Sequence, residues 1–167
     1  MLYNGLVAGR NQVEAAWRQI DVQLKRRRDL VPNLVEAVKG YMGHEQDTLQ
    51  AVIKARSAAV SAESGPREGQ IQAEAALSGA LGRLFALSES YPDLKANQNV
   101  MQLQEELTST ENKIAFSRQH YNDSVMAQNT RVESFPAVLV AGSMGFAKHP
   151  YFEATEQDRE VPQVKLR

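Results

Sequence analysis

The apolar positions fall into helical registers along most of the chain. Leu6, Val13, Trp17, Ile20 and Leu24 are separated by seven, four, three and four residues, which places them on one face of a helix. Leu30, Leu34, Val38 and Tyr41, followed by Leu49, Val52 and Ala59, mark a second helical face. Ile71, Leu77, Leu81, Leu84 and Leu87 line a third, where Gly79 and Gly82 leave room for close backbone approach. The clearest seam runs Val100, Leu103, Leu107, Thr110, Ile114, Ser117, Tyr121, Val125, Gln128, Val132 and Phe135, in steps of three and four as in antiparallel bundles. Gly65-Pro66 within SAESGPREG, the stretch SYPDLKAN and Pro136 break the pattern. The prediction is an all-α fold: an antiparallel up-down-up-down bundle of four main long helices at roughly 3–28, 30–62, 68–89 and 94–134. A short apolar segment, FPAVLVAGSMGF (135–146), follows and is too short to span a bilayer. The bundle domain is expected over 1–153, with a loosely ordered polar tail over 154–167.

The stretch KRRRDLVPNLVEAVKGY (25–41) admits two readings, a basic binding patch or a joint in the scaffold. The joint explains every residue. Lys25 to Arg28 would offset the partial negative charge at the end of the first helix. Asp29 would cap the second, and Pro32 would sit in its first turn, where backbone N–H groups lack helical partners. Arg28, Asp29 and Pro32 are therefore the expected hinge and cap.

Composition narrows the function. Net charge is -1 over 167 residues, so no global field favours nucleic acid or anionic lipid, and no nucleic-acid partner is expected. There is no cysteine, which removes disulfides, thiolate metal sites and cysteine nucleophiles. No apolar run is long enough to cross a membrane, and Tyr3-Asn4-Gly5 interrupts any signal-peptide core. The residues three before His44, His120 and His149 are Tyr41, Ser117 and Phe146, so the Glu-x-x-His motif of di-iron bundles is missing. A phosphate-binding glycine loop, a zincin helix and a nucleophile elbow are also missing. The expectation is a non-enzyme with no catalytic residue, no metal and no cofactor. On the fourth helix Glu111, Arg118, Tyr121 and Asn122 lie close to the seam. They could form a ligand-reading polar cluster or a hydrogen-bonded network that fixes helix register, the commoner fate of buried charge.

Four motifs carry a family resemblance: RRRDLVPNLVEAVKGY, SGALGRLFALSESYPDLKAN, LQEELTSTENKIAFSRQHYND and SFPAVLVAG with the following GF and PYF. In that order they resemble the LemA family, and the likeness covers residues 3 to 153. It implies a bacterial protein with an N-terminal membrane anchor and a helical-bundle domain, and no established biochemical activity. In the family an apolar anchor directly precedes the Tyr-Asn pair matched by Tyr3-Asn4. No such anchor is read ahead of Tyr3, and Met1-Leu2 is expected to replace or truncate it. Family members often repeat Tyr-Asn one helical repeat after the pair matched by Tyr121-Asn122, where this chain has Gln128-Asn129. Some members are associated with magnetosome formation, which suggests membrane organisation.

Two functions from different classes remain open. One is a membrane-tethered scaffold or interaction domain of the bacterial cell membrane, with protein partners or the bilayer surface. The other is a sensor-like bundle with a small ligand at Arg118, Tyr121 and Asn122. In an up-down-up-down bundle the fourth helix ends near Tyr3, so Val138, Leu139, Val140 and Phe146 arrive beside the anchor. They either close the base of the bundle or form an exposed membrane-proximal or partner surface. Arg26 to Arg28, at the far end of the first helix, are expected to lie roughly 35–40 Å away and not to touch that membrane.

Overall fold

A computed structural model describes residues 1–152. The elements are α1 (Leu2–Lys39), α2 (Gln46–Ala62), α3 (Arg67–Ser88), a short α4 (Pro92–Ala96) and α5 (Gln98–Glu133), followed by a 3-10 turn at Ala137–Leu139. No strand occurs among the described residues, so the fold is all-α as the periodicity predicts. The predicted tail over 154–167 lies outside the described residues.

The predicted hinge at Arg28, Asp29 and Pro32 is not a hinge. α1 runs without interruption from Leu2 to Lys39, with Pro32 inside it and Asp29 at mid-helix rather than at a cap. Pro32 cannot donate to the carbonyl of Arg28, four residues earlier, and its ring crowds that oxygen. The side chain of Arg56 supplies the missing donor: its Nε–H bonds to the Arg28 carbonyl at 3.1 Å. Leu34 and Val38 also keep the apolar face of α1 buried beyond the proline. Nothing therefore forces the helix to end there. The joint lies instead at residues 40–45, around Gly40 and Gly43. There Tyr41, expected on the core face, is exposed, and Met42 is buried in its place.

A second boundary differs for a local reason. Asn97 leaves the helical region at φ −87° and ψ 112°, which separates α4 from α5. Its side-chain oxygen accepts from the Val100 N–H at 3.1 Å, as an N-cap does. Asn97 thus starts α5 four residues later than the pattern of apolar positions suggests.

The described chain forms two compact units, and α1 and α5 contribute to both. One unit contains residues 24–111. Its core includes Val31, Leu34, Val38, Met42, Val52, Leu77, Leu81, Leu84, Leu94, Val100 and Leu107. In this unit Lys25 pairs with Glu63 just past α2, Arg27 with Glu74 early in α3, and Gln104 of α5 with Ser88 at the end of α3. Tyr91, just past α3, donates to Glu45, just ahead of α2, at 2.8 Å. The other unit contains residues 1–23 and 112–152. Here Val13, Trp17, Ile20, Tyr121 and Val125 are buried, and Leu6, Val132, Ala137, Ala141 and Phe146 make a second apolar cluster.

Candidate functional site

Three features stand out: an apolar tip, a backbone strap and a buried ion network. The tip belongs to the unit of residues 1–23 and 112–152. Pro136 follows the end of α5, and the chain turns through the 3-10 segment. The four expected surface residues divide. Phe146 is buried, with its ring edge-to-face against Tyr3 at 6.0 Å and the Arg10 guanidinium 4.9 Å over its face. Val138, Leu139 and Val140 are exposed at 49%, 71% and 38%. The expected alternatives, packing or exposure, are thus both realised. Ala137 and Ala141 point inward, so the three residues between them have no core face left. Phe135, expected on the buried seam of the last helix, is 81% exposed because α5 has already ended. An open recess of about 270 Å³ lies beside these residues, lined mostly by Leu2, Leu6, Phe135, Pro136 and Ala137.

The strap is residues 147–152, which run along α5 in the opposite direction. Asn122 donates from Nδ2 to the Phe152 carbonyl and accepts from the Phe152 N–H at its Oδ1, both at 2.8 Å. Asn129 does the same with His149, donating at 3.1 Å and accepting at 2.9 Å. Between them the Tyr121 hydroxyl donates to the Pro150 carbonyl at 2.8 Å. Trp17 stands with its ring centroid 5.5 Å from Tyr121 and 6.4 Å from Phe152. Lys148 pairs with Glu133, which raises the lysine above its ordinary value through the hydrogen bond and the opposite charge. Gln128, beside Asn129, is fully buried and faces α1, where Nε2 donates to the Leu6 carbonyl at 3.0 Å. Gly9 leaves it space: a Cβ there would lie 1.9 Å from the Gln128 Oε1.

The ion network lies in the unit of residues 24–111. Arg27 is 0% exposed and donates to Ser78, Glu111 and both the side chain and carbonyl of Glu74 at 2.5–2.9 Å. Glu74 also pairs with Arg28. Arg27 and Arg28 are therefore buried interior charges, not solvated residues at a helix end. Sequence reasoning missed Glu74, although a carboxylate three residues from both Ile71 and Leu77 on the third apolar face was a readable signal.

The predicted polar cluster is not one cluster. Glu111 belongs to the network on Arg27, whereas Tyr121 and Asn122 hold the strap. Arg118 has an interaction of its own. Sequence reasoning also missed the part played by Asn129, because only the strap lying beside α5 gives Asn122 and Asn129 a common role. Among the described residues no group of three or more His, Asp or Glu side chains could hold a metal ion, and no helix is long and apolar enough to cross a membrane.

Comparison with known proteins adds to this geometry. The sequence profile of the LemA family matches residues 16–166. The chain is 26% identical over 165 residues to Protein LemA of Metamycoplasma hominis, covering 98% of this chain and 75% of that protein. It is 23% identical over 176 residues to Magnetosome protein MamQ of Magnetospirillum gryphiswaldense, covering 91% of this chain and 65% of the other. Magnetosome protein MamQ 2 of Paramagnetospirillum magneticum is 24% identical over 177 residues, at 92% and 65% coverage. The chain thus spans less than two thirds of each of these magnetosome proteins.

Proposed function

The chain belongs to the LemA family, and from that premise we propose that it is a non-catalytic scaffold domain that works at a membrane, with the apolar tip as its contact surface. One observation carries the reading: Phe135, Val138, Leu139 and Val140 are exposed together beside an apolar recess that also takes in Leu2. Exposed apolar residues grouped this closely along the chain, rather than scattered singly, are a mark of interaction sites. Relatives named as magnetosome proteins are in keeping with the same setting. The non-catalytic part rests on the lack of any catalytic or metal-binding motif in the sequence. The small-ligand sensor reading has less support, because in the closed chain Tyr121 and Asn122 hydrogen-bond to the protein's own strap.

Hydrogen exchange over residues 135–146, with and without lipid nanodiscs, tests the proposal. Slower exchange at 138–140 in the presence of lipid is expected, with flotation on vesicles that Val138→Asp/Leu139→Asp abolishes. Identical exchange in both states would leave the tip without a membrane role. Pull-down from bacterial membranes, comparing the wild type with the same variant, identifies the protein partners of the scaffold.

A further inference from the structure

Asn122 and Asn129 are seven residues apart, about 10.5 Å along a helix at 1.5 Å per residue. The residues they hold, Phe152 and His149, are three apart, about 10 Å along an extended chain at 3.3 Å per residue. The two repeats match, so α5 presents two amide groups in register with an extended segment whose backbone twists, as polyproline II does, to turn residues three apart toward the same side. Each amide makes the pair of bonds that a neighbouring strand would make. With the Tyr121 hydroxyl, five hydrogen bonds from the groove reach the main chain of the strap. Pro150 suits this arrangement. It biases His149 toward extended backbone and has no N–H to leave unsatisfied. One side chain supplies an anchor: Phe152 is buried beside Trp17.

This is how a peptide-binding groove reads its ligand, through main-chain bonds and one aromatic pocket. The strap enters it after Gly142 and Gly145, the latter at φ +82°, where glycine is favoured. We propose that the α1–α5 face beneath residues 147–152 is an extended-peptide site, filled in the resting chain by its own strap, and that the same strap of a second copy can replace it to give a strap-exchanged dimer. A second copy is the occupant because every copy carries the segment that fits the groove. In the exchanged state it makes the same five bonds, so the closed and exchanged forms differ mainly in the joint before it. The tethered strap competes at an effective concentration of about millimolar, which keeps the chain closed when dilute.

Complementation between full-length chains tests this. One chain keeps the groove and loses the strap, through His149→Pro/Phe152→Ala. The other keeps the strap and loses the groove, through Asn122→Ala/Asn129→Ala/Trp17→Phe. Trp17 is the only tryptophan, so emission reports on the first chain alone. Mixing is expected to give a 1:1 complex of twice the mass by sedimentation and to restore wild-type emission. A donor with Asn129→Ala/Trp17→Phe serves if the triple variant does not fold. A synthetic peptide of residues 146–152 should also bind the strapless chain, about tenfold or more tighter than it binds the wild type. Failure of the peptide to bind the strapless chain overturns the site. Peptide binding without a complex between the two chains overturns exchange.

Discussion

Arg27 shows how much a single side chain can carry. A buried guanidinium costs several kcal/mol to desolvate and is tolerated only with close partners. Glu74 and Glu111 provide them, and Glu74 serves Arg28 as well. Glu74→Ala is expected to destabilise the protein by about 3–5 kcal/mol, because it strips two buried cations of their shared carboxylate. Arg27→Met/Glu74→Leu is expected to cost less than Glu74→Ala alone, since it removes charge from both sides; urea unfolding of both variants checks the order. At the surface, Tyr91 illustrates a weaker coupling. Its hydrogen bond to Glu45 and the carboxylate's charge raise the phenol above 10.0. The sign follows from the raised value: the contact stabilises the fold below pH about 10 and is lost as pH rises through the raised value. Phenolate absorbance should show a late-titrating tyrosine in the wild type whose titration moves back toward its ordinary value in Glu45→Gln.

At the scale of the element, a proline is a breaker only while the carbonyl it orphans stays orphaned. In α1 the Arg56 side chain bonds that carbonyl, and the helix continues. Arg56→Met is therefore expected to cost about 1 kcal/mol in the wild type and close to nothing in Pro32→Ala, where the backbone N–H is restored. Equal costs in the two backgrounds would separate Arg56 from Pro32. A similar fit governs α1 against α5 in the unit of residues 1–23 and 112–152. Alanine is the better helix former than glycine by about 1 kcal/mol. Gly9→Ala should nevertheless destabilise, because its Cβ would displace the ends of the Gln128 and Arg131 side chains and break the Gln128 bond to Leu6. Gly9→Ala/Gln128→Ala should recover stability relative to Gly9→Ala in thermal unfolding. On the strap, the amide protons of His149 and Phe152 should exchange slowly. Asn129→Ala should release the first more than the second, and Asn122→Ala the reverse.

At the scale of the molecule, charge and apolar surface make different demands on the proposed membrane contact. The net charge is -1, and Arg27 and Arg28 are buried, so two of the three arginines in the basic run are unavailable to lipid. Attachment through the tip should then depend on apolar area rather than on field. Flotation on zwitterionic vesicles should match that on anionic ones, and raising the salt concentration should not release the protein. Strong preference for anionic vesicles would point away from Leu139 and its neighbours toward a basic surface.

Helical class was legible from the sequence because threes and fours recur wherever a helix buries one face, and no tertiary detail changes that period. Trp17, Leu81 and Leu107 could be assigned to the interior on the same ground, as could the break at Gly65-Pro66. The end of α1 was not legible, since it depends on a donor from Arg56, which lies 28 residues away along the chain. Nor was the burial of Arg27, whose sequence neighbours Arg26 and Arg28 look alike; only the carboxylates of α3 and α5 distinguish it. The strap belongs to the same class: Asn122 and Asn129 are ordinary polar residues of a helix until an extended segment with a matching repeat lies beside them. The sequence by itself determined which residues repeat at helical spacing, because that is local. Tertiary structure alone decided which carbonyls, charges and amides find partners, because those partners come from segments the local pattern does not connect.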